Sequence, residues 1–171
     1  LEKSWHKNCV AIGLSGSFVE PLEASSIGTS IQQAFLLSYK LMNYDEKVIE
    51  NYNKSFTNIM ENIRDFIVLH YITKKTESDF WKDLVNAEIP DSLGEKLEIW
   101  QNKLPIPEDF HGTSDYALFW HDNFTMVLDG LDLVNRAAIK EEYENSYDDI
   151  KAAADETIKK QMEFESKAET F

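Results

Sequence analysis

The chain has 171 residues and carries 17 Lys plus Arg against 31 Asp plus Glu, a formal net charge of −14. That acidic excess argues against nucleic acid and against an anionic membrane surface as partners, because both are bound through clustered Lys and Arg. Apolar residues make up 43% of the chain, too many for a disordered segment, and only 6 Gly and 4 Pro interrupt it, so helix is expected to dominate.

The single cysteine, Cys9, excludes a disulfide framework and a cysteine-based metal site, and fits a reducing, cytoplasmic location. No apolar run approaches the roughly 18–20 residues of a membrane span. Residues 1–10 lack the basic-then-apolar layout of a signal peptide. The chain does not open with Met and reads as a piece of a longer protein.

In chain order, Cys9, Val10, Ala11, Ile12, Gly13 and Leu14 form a short continuous apolar run before Ser15-Gly16-Ser17. That pattern predicts a strand buried on both faces, as in a parallel sheet, with Cys9 as inert packing. A helix follows, with Ile27, Ile31, Ala34, Phe35, Leu41 and Met42 at helical spacing, Ser25 or Ser26 as N-cap and Asn43 as its stop. The clearest helix runs from about Asp45 to Tyr71, where Val48, Tyr52, Phe56, Ile59, Ile63, Phe66, Ile67 and His70 step by three or four. His70 on that apolar face reads as a hydrogen-bonded core residue.

Residues 73–79 form a polar connection, and Phe80-Trp81 open a short apolar element that ends at Pro90-Asp91-Ser92. Ser92 is placed to cap a helix carrying Leu93, Leu97, Trp100 and Leu104. Residues 105–118 predict a loop with apolar contents, the kind that lines a pocket, before Phe119, Trp120, Phe124, Val127, Leu128 and Leu131 resume a buried pattern. From about Ala137 to Phe171 a charged helix is expected to close over the core through Ile139, Tyr143, Tyr147, Ile150, Ile158 and Met162.

The strand–turn–helix at 9–42 is the unit that can carry chemistry. Helix starts offer free amides and a positive dipole end to an anion. Here Glu20 and Glu23 flank Pro21 just before the small residues Ala24-Ser25-Ser26. A carboxylate held ionised there can act as base or stabilise positive charge, although acidic residues at helix starts are also ordinary capping. His111, Ser114 and Asp115 lie close in sequence, but a triad is defined by geometry. The four His have no zinc-ligand spacing, and no metal is expected.

Trp5 and the segment Asn8-Cys9-Val10-Ala11-Ile12-Gly13-Leu14-Ser15-Gly16-Ser17-Phe18-Val19-Glu20-Pro21-Leu22-Glu23-Ala24-Ser25-Ser26-Ile27 resemble the signature of flavin-dependent tryptophan halogenases. Arg64-Asp65-Phe66-Ile67-Val68-Leu69-His70-Tyr71 with Phe80-Trp81 forms a second matching block. Phe119-Trp120 through Val127-Leu128-Asp129-Gly130-Leu131 forms a third. The resemblance implies a mainly helical chain with a short β element, the carboxyl-terminal part of an FAD-binding α/β halogenase fold. It divides the chain into the end of an FAD-binding domain (1–44), a helical substrate-binding region (45–135) and a carboxyl-terminal surface helix (136–171).

The family uses reduced FAD and O₂ to turn chloride or bromide into hypohalous acid, which reaches an aromatic substrate, often the indole of tryptophan. By position, Glu23 matches the catalytic carboxylate. Ser25 and Ser26 match the residues whose amides hold the halide. Gly13, Leu14, Gly16 and Ile27 lie where the junction closes over the flavin. Phe119, Trp120 and, with one residue deleted, Asn123 match the substrate side. The chain departs from the family at Ala24 and Ser25, where the usual residues are Ser and Thr.

The resemblance also implies a flavin reductase as indirect partner and leaves a homodimer open. The nucleotide fingerprint G-x-G-x-x-G, the segment W-x-W-x-I-P and the family's catalytic lysine are not among these residues. The piece alone is therefore expected to be inactive, and poorly folded if strand 9–14 lacks sheet neighbours. A flavin monooxygenase relative and a non-catalytic helical binding module are the alternative readings.

Overall fold

A computed structural model describes residues 2–110, 113 and 115–168, apart from the side chains of 165, 167 and 168. His111 and Ser114 lie outside the described residues. The chain divides into two compact units, Leu1–Val134 and Asn135–Phe171.

The first unit is helical around one small hairpin. Strand β1 (Trp5–His6) pairs antiparallel with β2 (Cys9–Val10), with Trp5 opposite Val10 and His6 opposite Cys9. This corrects the buried parallel strand expected at 9–14. The strand finds its neighbour three residues upstream, Cys9 is exposed, and Gly13–Ser15 turns into a 3-10 helix. Gly13 has φ of +63°, a conformation that costs glycine little, and it ends the extended run.

Helices α1 (Ser25–Met42) and α2 (Val48–His70) follow. Helix α2 is the centre of the core, burying Val48, Tyr52, Phe56, Ile59, Ile63, Phe66 and Ile67 along the predicted stripe and Leu69 beside it. Its His70 donates Nδ1–H to the Phe66 carbonyl at 2.8 Å, as expected of a core histidine.

Helix α1 is oriented opposite to expectation. Its buried face is Ser25, Thr29, Gln33 and Leu36, while Ile27, Ile31 and Phe35 are 67%, 52% and 62% exposed. The cause is the irregular backbone beneath it. The two-residue ladder of the hairpin leaves amides and carbonyls on either side of it, among them Gly13 N–H and Trp5 N–H, that no further strand satisfies, and buried polar groups need partners. Gln33 supplies them: its Oε1 accepts Gly13 N–H at 2.7 Å, and its Nε2 reaches Ser4 Oγ and Ala11 O at 3.4 Å. Asn53 on α2 does the same for Trp5, accepting its N–H and donating to its carbonyl, both at 2.8 Å.

The short apolar element opened by Phe80-Trp81 is helix α3 (Asp79–Val85), which buries none of its residues. Helix α4 (Asp91–Trp100) buries Leu93 and Trp100; its N-cap is Pro90, not Ser92, whose hydroxyl is used elsewhere. A 3-10 turn at Pro107–Phe110 precedes α5 (His121–Gly130), which buries Phe124 and Leu128. Phe66, Phe110, Phe119, Phe124 and Trp100 pack into one aromatic cluster, with Phe66 and Phe119 stacked at 3.9 Å.

The second unit is a single helix, α6 (Arg136–Ala168), whose first amides are capped by Asn135 Oδ1. Taken by itself this helix leaves Tyr143, Tyr147, Ile150, Ile158 and Met162 exposed. No helix among the described residues is long and apolar enough to cross a membrane.

Candidate functional site

The turn joining the hairpin region to α1 carries the candidate carboxylate. Glu23 and Ala24 both have left-handed backbone, with φ of 55° and 53°. Neither is glycine, so each conformation costs about 1–3 kcal/mol and persists only where surrounding contacts impose it. Ala24 is the N-cap of α1 and offers no side-chain acceptor, which replaces the serine cap expected from the sequence. Glu23 is exposed, Ser25 is buried and Ser26 is half-buried. Of the two candidate halide amides, that of Ser25 donates to the Leu22 carbonyl, and the Ser25 hydroxyl donates to the Glu20 carbonyl at 3.2 Å.

Three ties fasten this turn to α2. Ser17 Oγ reaches Met60 Sδ at 3.2 Å, Val19 and Leu22 pack against the core, and the Tyr71 hydroxyl donates to the Glu20 carboxylate. That bond, then burial and the nearby negative charge, raise the Tyr71 pKa above its ordinary value. The first two sequence blocks thus meet at Glu20 and Tyr71.

The third block is brought alongside by two other residues. Asn62, buried on α2, accepts Phe119 N–H at 3.1 Å and donates to the Phe119 carbonyl at 2.9 Å, fixing the Phe119-Trp120 backbone. Gly28 in the first turn of α1 is covered by Leu118, whose Cδ1 would lie 2.8 Å from a Cβ there. The start of α1 thus meets the residue that precedes Phe119 and Trp120. Phe119 is buried in the aromatic cluster and Trp120 is half-buried. Asn123 is exposed, and its Oδ1 accepts Trp120 N–H at 2.9 Å, capping α5.

Asn62, Gln33 and Asn53 were missed in the sequence. Their signal is an amide side chain set among the inward positions of a helix, where it pairs with a backbone that has no ladder of its own.

Of the four residues expected beside the flavin, Leu14 and Ile27 are exposed. The two glycines are accounted for by packing inside the chain: a Cβ on Gly16 would lie 2.8 Å from the Ala11 carbonyl oxygen, and one on Gly13 would lie 2.8 Å from Ser30 Oγ. The exposed Leu14 and Ile27 suit an apolar cover over a flat ring system rather than a cradle for a dinucleotide.

The loop before Phe110 is held by Asp109. Its carboxylate accepts Trp100 Nε1–H at 2.9 Å and Ile106 N–H at 3.0 Å, and pairs with Lys103. Burial alone would push its pKa up, but the bonds from Lys103, Trp100 and Ile106 and the Lys103 charge outweigh it and leave the pKa below the ordinary 3.8. A carboxylate lowered on folding stabilises the fold above its unfolded pKa, and that contribution is lost as pH falls through the folded value. Trp100 fluorescence is therefore expected to report an acid transition below pH 3.8 that Asp109→Asn suppresses. An unchanged transition in the variant would assign it to another group.

A cleft of about 330 Å³ near this loop is lined by Asn62, Asp65, Ser92, Lys96 and Asp109, and Glu23 is not among its residues. Glu23 itself is exposed. Among the described residues no group of three or more His, Cys, Asp or Glu is arranged to hold a metal ion.

The chain belongs to the tryptophan halogenase family, whose model matches residues 1–144. It is 36% identical over 124 residues to tryptophan 6-halogenase SttH of Streptomyces toxytricini, covering 68% of this chain and 24% of that enzyme. Its fold matches Xcc4156, a flavin-dependent halogenase from Xanthomonas campestris, with a TM-score of 0.70 at 32% identity, over 79% of this chain and 27% of that one. BrvH, a flavin-dependent halogenase from Brevundimonas sp. BAL3, aligns with a TM-score of 0.69 at 27% identity, over 89% of this chain and 32% of that one. The chain spans about a quarter of the length of the curated relatives it matches.

Proposed function

We propose that the chain is the carboxyl-terminal, substrate-facing part of a flavin-dependent halogenase acting on an indole-like aromatic substrate with chloride or bromide. The observation that supports this reading is the strained Glu23–Ala24 turn at the start of α1, the helix whose Gly28 packs against Leu118, the residue before Phe119 and Trp120. Backbone held in rarely populated conformations by its surroundings clusters at functional sites, and this turn falls within the family match.

In this reading residues 1–44 complete an FAD-binding domain, 45–135 form the substrate region and 136–171 a surface helix. The exposed stripe of Ile27, Ile31 and Phe35, with Leu14 and Phe18 nearby in sequence, supports it, because a soluble surface rarely leaves such a contiguous apolar face uncovered. That face packs on the flavin-binding portion, with Leu14 and Ile27 toward the ring system.

Reduced FAD with O₂, furnished through a flavin reductase, supplies the oxidising power that makes the halide electrophilic. The residues of this chain do the rest. The amide at Ser26, with that of Ser25 once its bond to Leu22 is exchanged, faces the halide at the positive end of α1. Trp120, braced 5.9 Å from Phe110, offers a flat surface to the substrate ring. Glu23 stabilises the positive charge that develops on that ring as the carbon–halogen bond forms, and accepts the proton that leaves the same carbon.

The test is mass spectrometry of the product made by the flavin-loaded holoenzyme from tryptophan or a simpler indole. A halogen isotope pattern that requires added halide is expected. An oxygenated product independent of halide would instead indicate a monooxygenase.

A further inference from the structure

Two adjacent left-handed residues, Glu23 and Ala24, need something to keep them there. The turn has no glycine at these positions, and no side chain caps the helix that follows. Thr29 and Ser30 bond the Ser25 and Ser26 carbonyls from within α1 itself, and two further side-chain bonds converge on Glu20: the Ser25 hydroxyl on its carbonyl and the Tyr71 hydroxyl on its carboxylate. Ser25 lies within the turn itself and moves with it. Tyr71 does not. It is the C-cap of α2, its N–H accepted by the Val68 and Leu69 carbonyls, and its ring lies edge-on to Phe80 at 6.5 Å. Its hydroxyl is thus delivered from the most deeply packed helix of the fold to a carboxylate three residues before Glu23.

We infer that Tyr71 is a positioning residue for the halogenation site, a latch that holds Glu20 and so keeps Glu23 and Ala24 in their strained conformation. The assignment rests on the halogenase reading for its consequence in catalysis, but not for its effect on the turn. Tyr71 touches neither substrate nor halide in this account; it acts through Glu20. Breaking the latch lets the turn relax, and Glu23 then samples directions in which it cannot meet the ring.

The experiment has two arms. In the chain itself, three-bond amide–Hα couplings at Glu23 and Ala24 are measured by NMR in wild type, Tyr71→Phe and Glu20→Gln. Tyr71→Phe is expected to move both couplings away from left-handed values, while Glu20→Gln, which keeps an acceptor oxygen, retains them. In the holoenzyme, Tyr71→Phe is expected to lower kcat for halogenation about tenfold, the rate equivalent of one charge-assisted hydrogen bond. KM for the aromatic substrate and the rate of flavin reoxidation stay within about twofold. Glu20→Ala should reproduce the loss, and the Glu20→Ala/Tyr71→Phe pair should be no worse than either alone.

Couplings unchanged in Tyr71→Phe would overturn the latch. So would a kcat loss that Glu20→Gln shares in full. If the wild-type holoenzyme does not halogenate, the coupling arm still decides whether Tyr71 holds the turn, so failure of the latch and failure of the halogenase reading are told apart.

Discussion

Glu23→Gln in the flavin-loaded enzyme is expected to lower the rate of halogenated product by about a hundredfold or more while leaving flavin reoxidation intact. The substitution keeps the shape of the side chain and removes its charge and its ability to take a proton. Charge stabilisation by one preorganised group and general-base transfer each contribute about a hundredfold or more in comparable sites. Both act only once the ring has begun to carry positive charge, so KM for the substrate should change little. Comparing product formed with flavin consumed, turnover by turnover, checks the result. Product at the wild-type rate would remove Glu23 from the mechanism, whatever the turn looks like.

Asp65→Ala is expected to destabilise the first unit by about 3 kcal/mol. Asp65 is buried on α2, accepts the Ser92 hydroxyl, which lies 3.0 and 2.8 Å from its two oxygens, and pairs with Arg64 at 2.8 Å and Lys96 at 3.5 Å. Its removal leaves the Ser92 hydroxyl without its acceptor and Lys96, whose ammonium lies 5.3 Å from the Phe110 ring, without its counter-charge. The α2–α4 contact then loses its polar clasp. Denaturant unfolding should show a lower midpoint with an unchanged slope. A midpoint within error of wild type would mean that α4 is held by Leu93 and Trp100 alone.

How legible this was in the sequence varied with what each element packs against. Helix α2 could be read because every third or fourth residue from Val48 to Leu69 meets other apolar side chains, and periodicity reports that kind of burial. Helix α1 has an equally clear apolar stripe, and there the same logic failed. Its stripe faces outward, and the inward face is Ser25, Thr29 and Gln33, chosen to satisfy a loop backbone rather than to fill a core. The run at 9–14 looked like a buried strand because its composition is apolar, but the ladder ends after Cys9–Val10, and Gly13 and Gly16 turn the chain under α1.

The candidate site residues could be named from their motifs. The bonds that fix the backbone around them could not, because Asn62 with Phe119 and Tyr71 with Glu20 are pairings separated by dozens of residues in sequence. The family membership and the mainly helical fold came through the same blocks, which the matches to SttH and Xcc4156 bear out. The aromatic cluster and the strained turn had no one-dimensional signal beyond the presence of Phe, Trp and Glu at those positions.

The most direct measurement is the dependence of product identity on halide in the holoenzyme containing this chain. With an indole substrate, reduced flavin and O₂, product should carry chlorine in chloride buffer, bromine in bromide buffer, and no halogen in neither. Substrate turnover at the same rate in halide-free buffer, yielding a hydroxylated ring, would contradict the account.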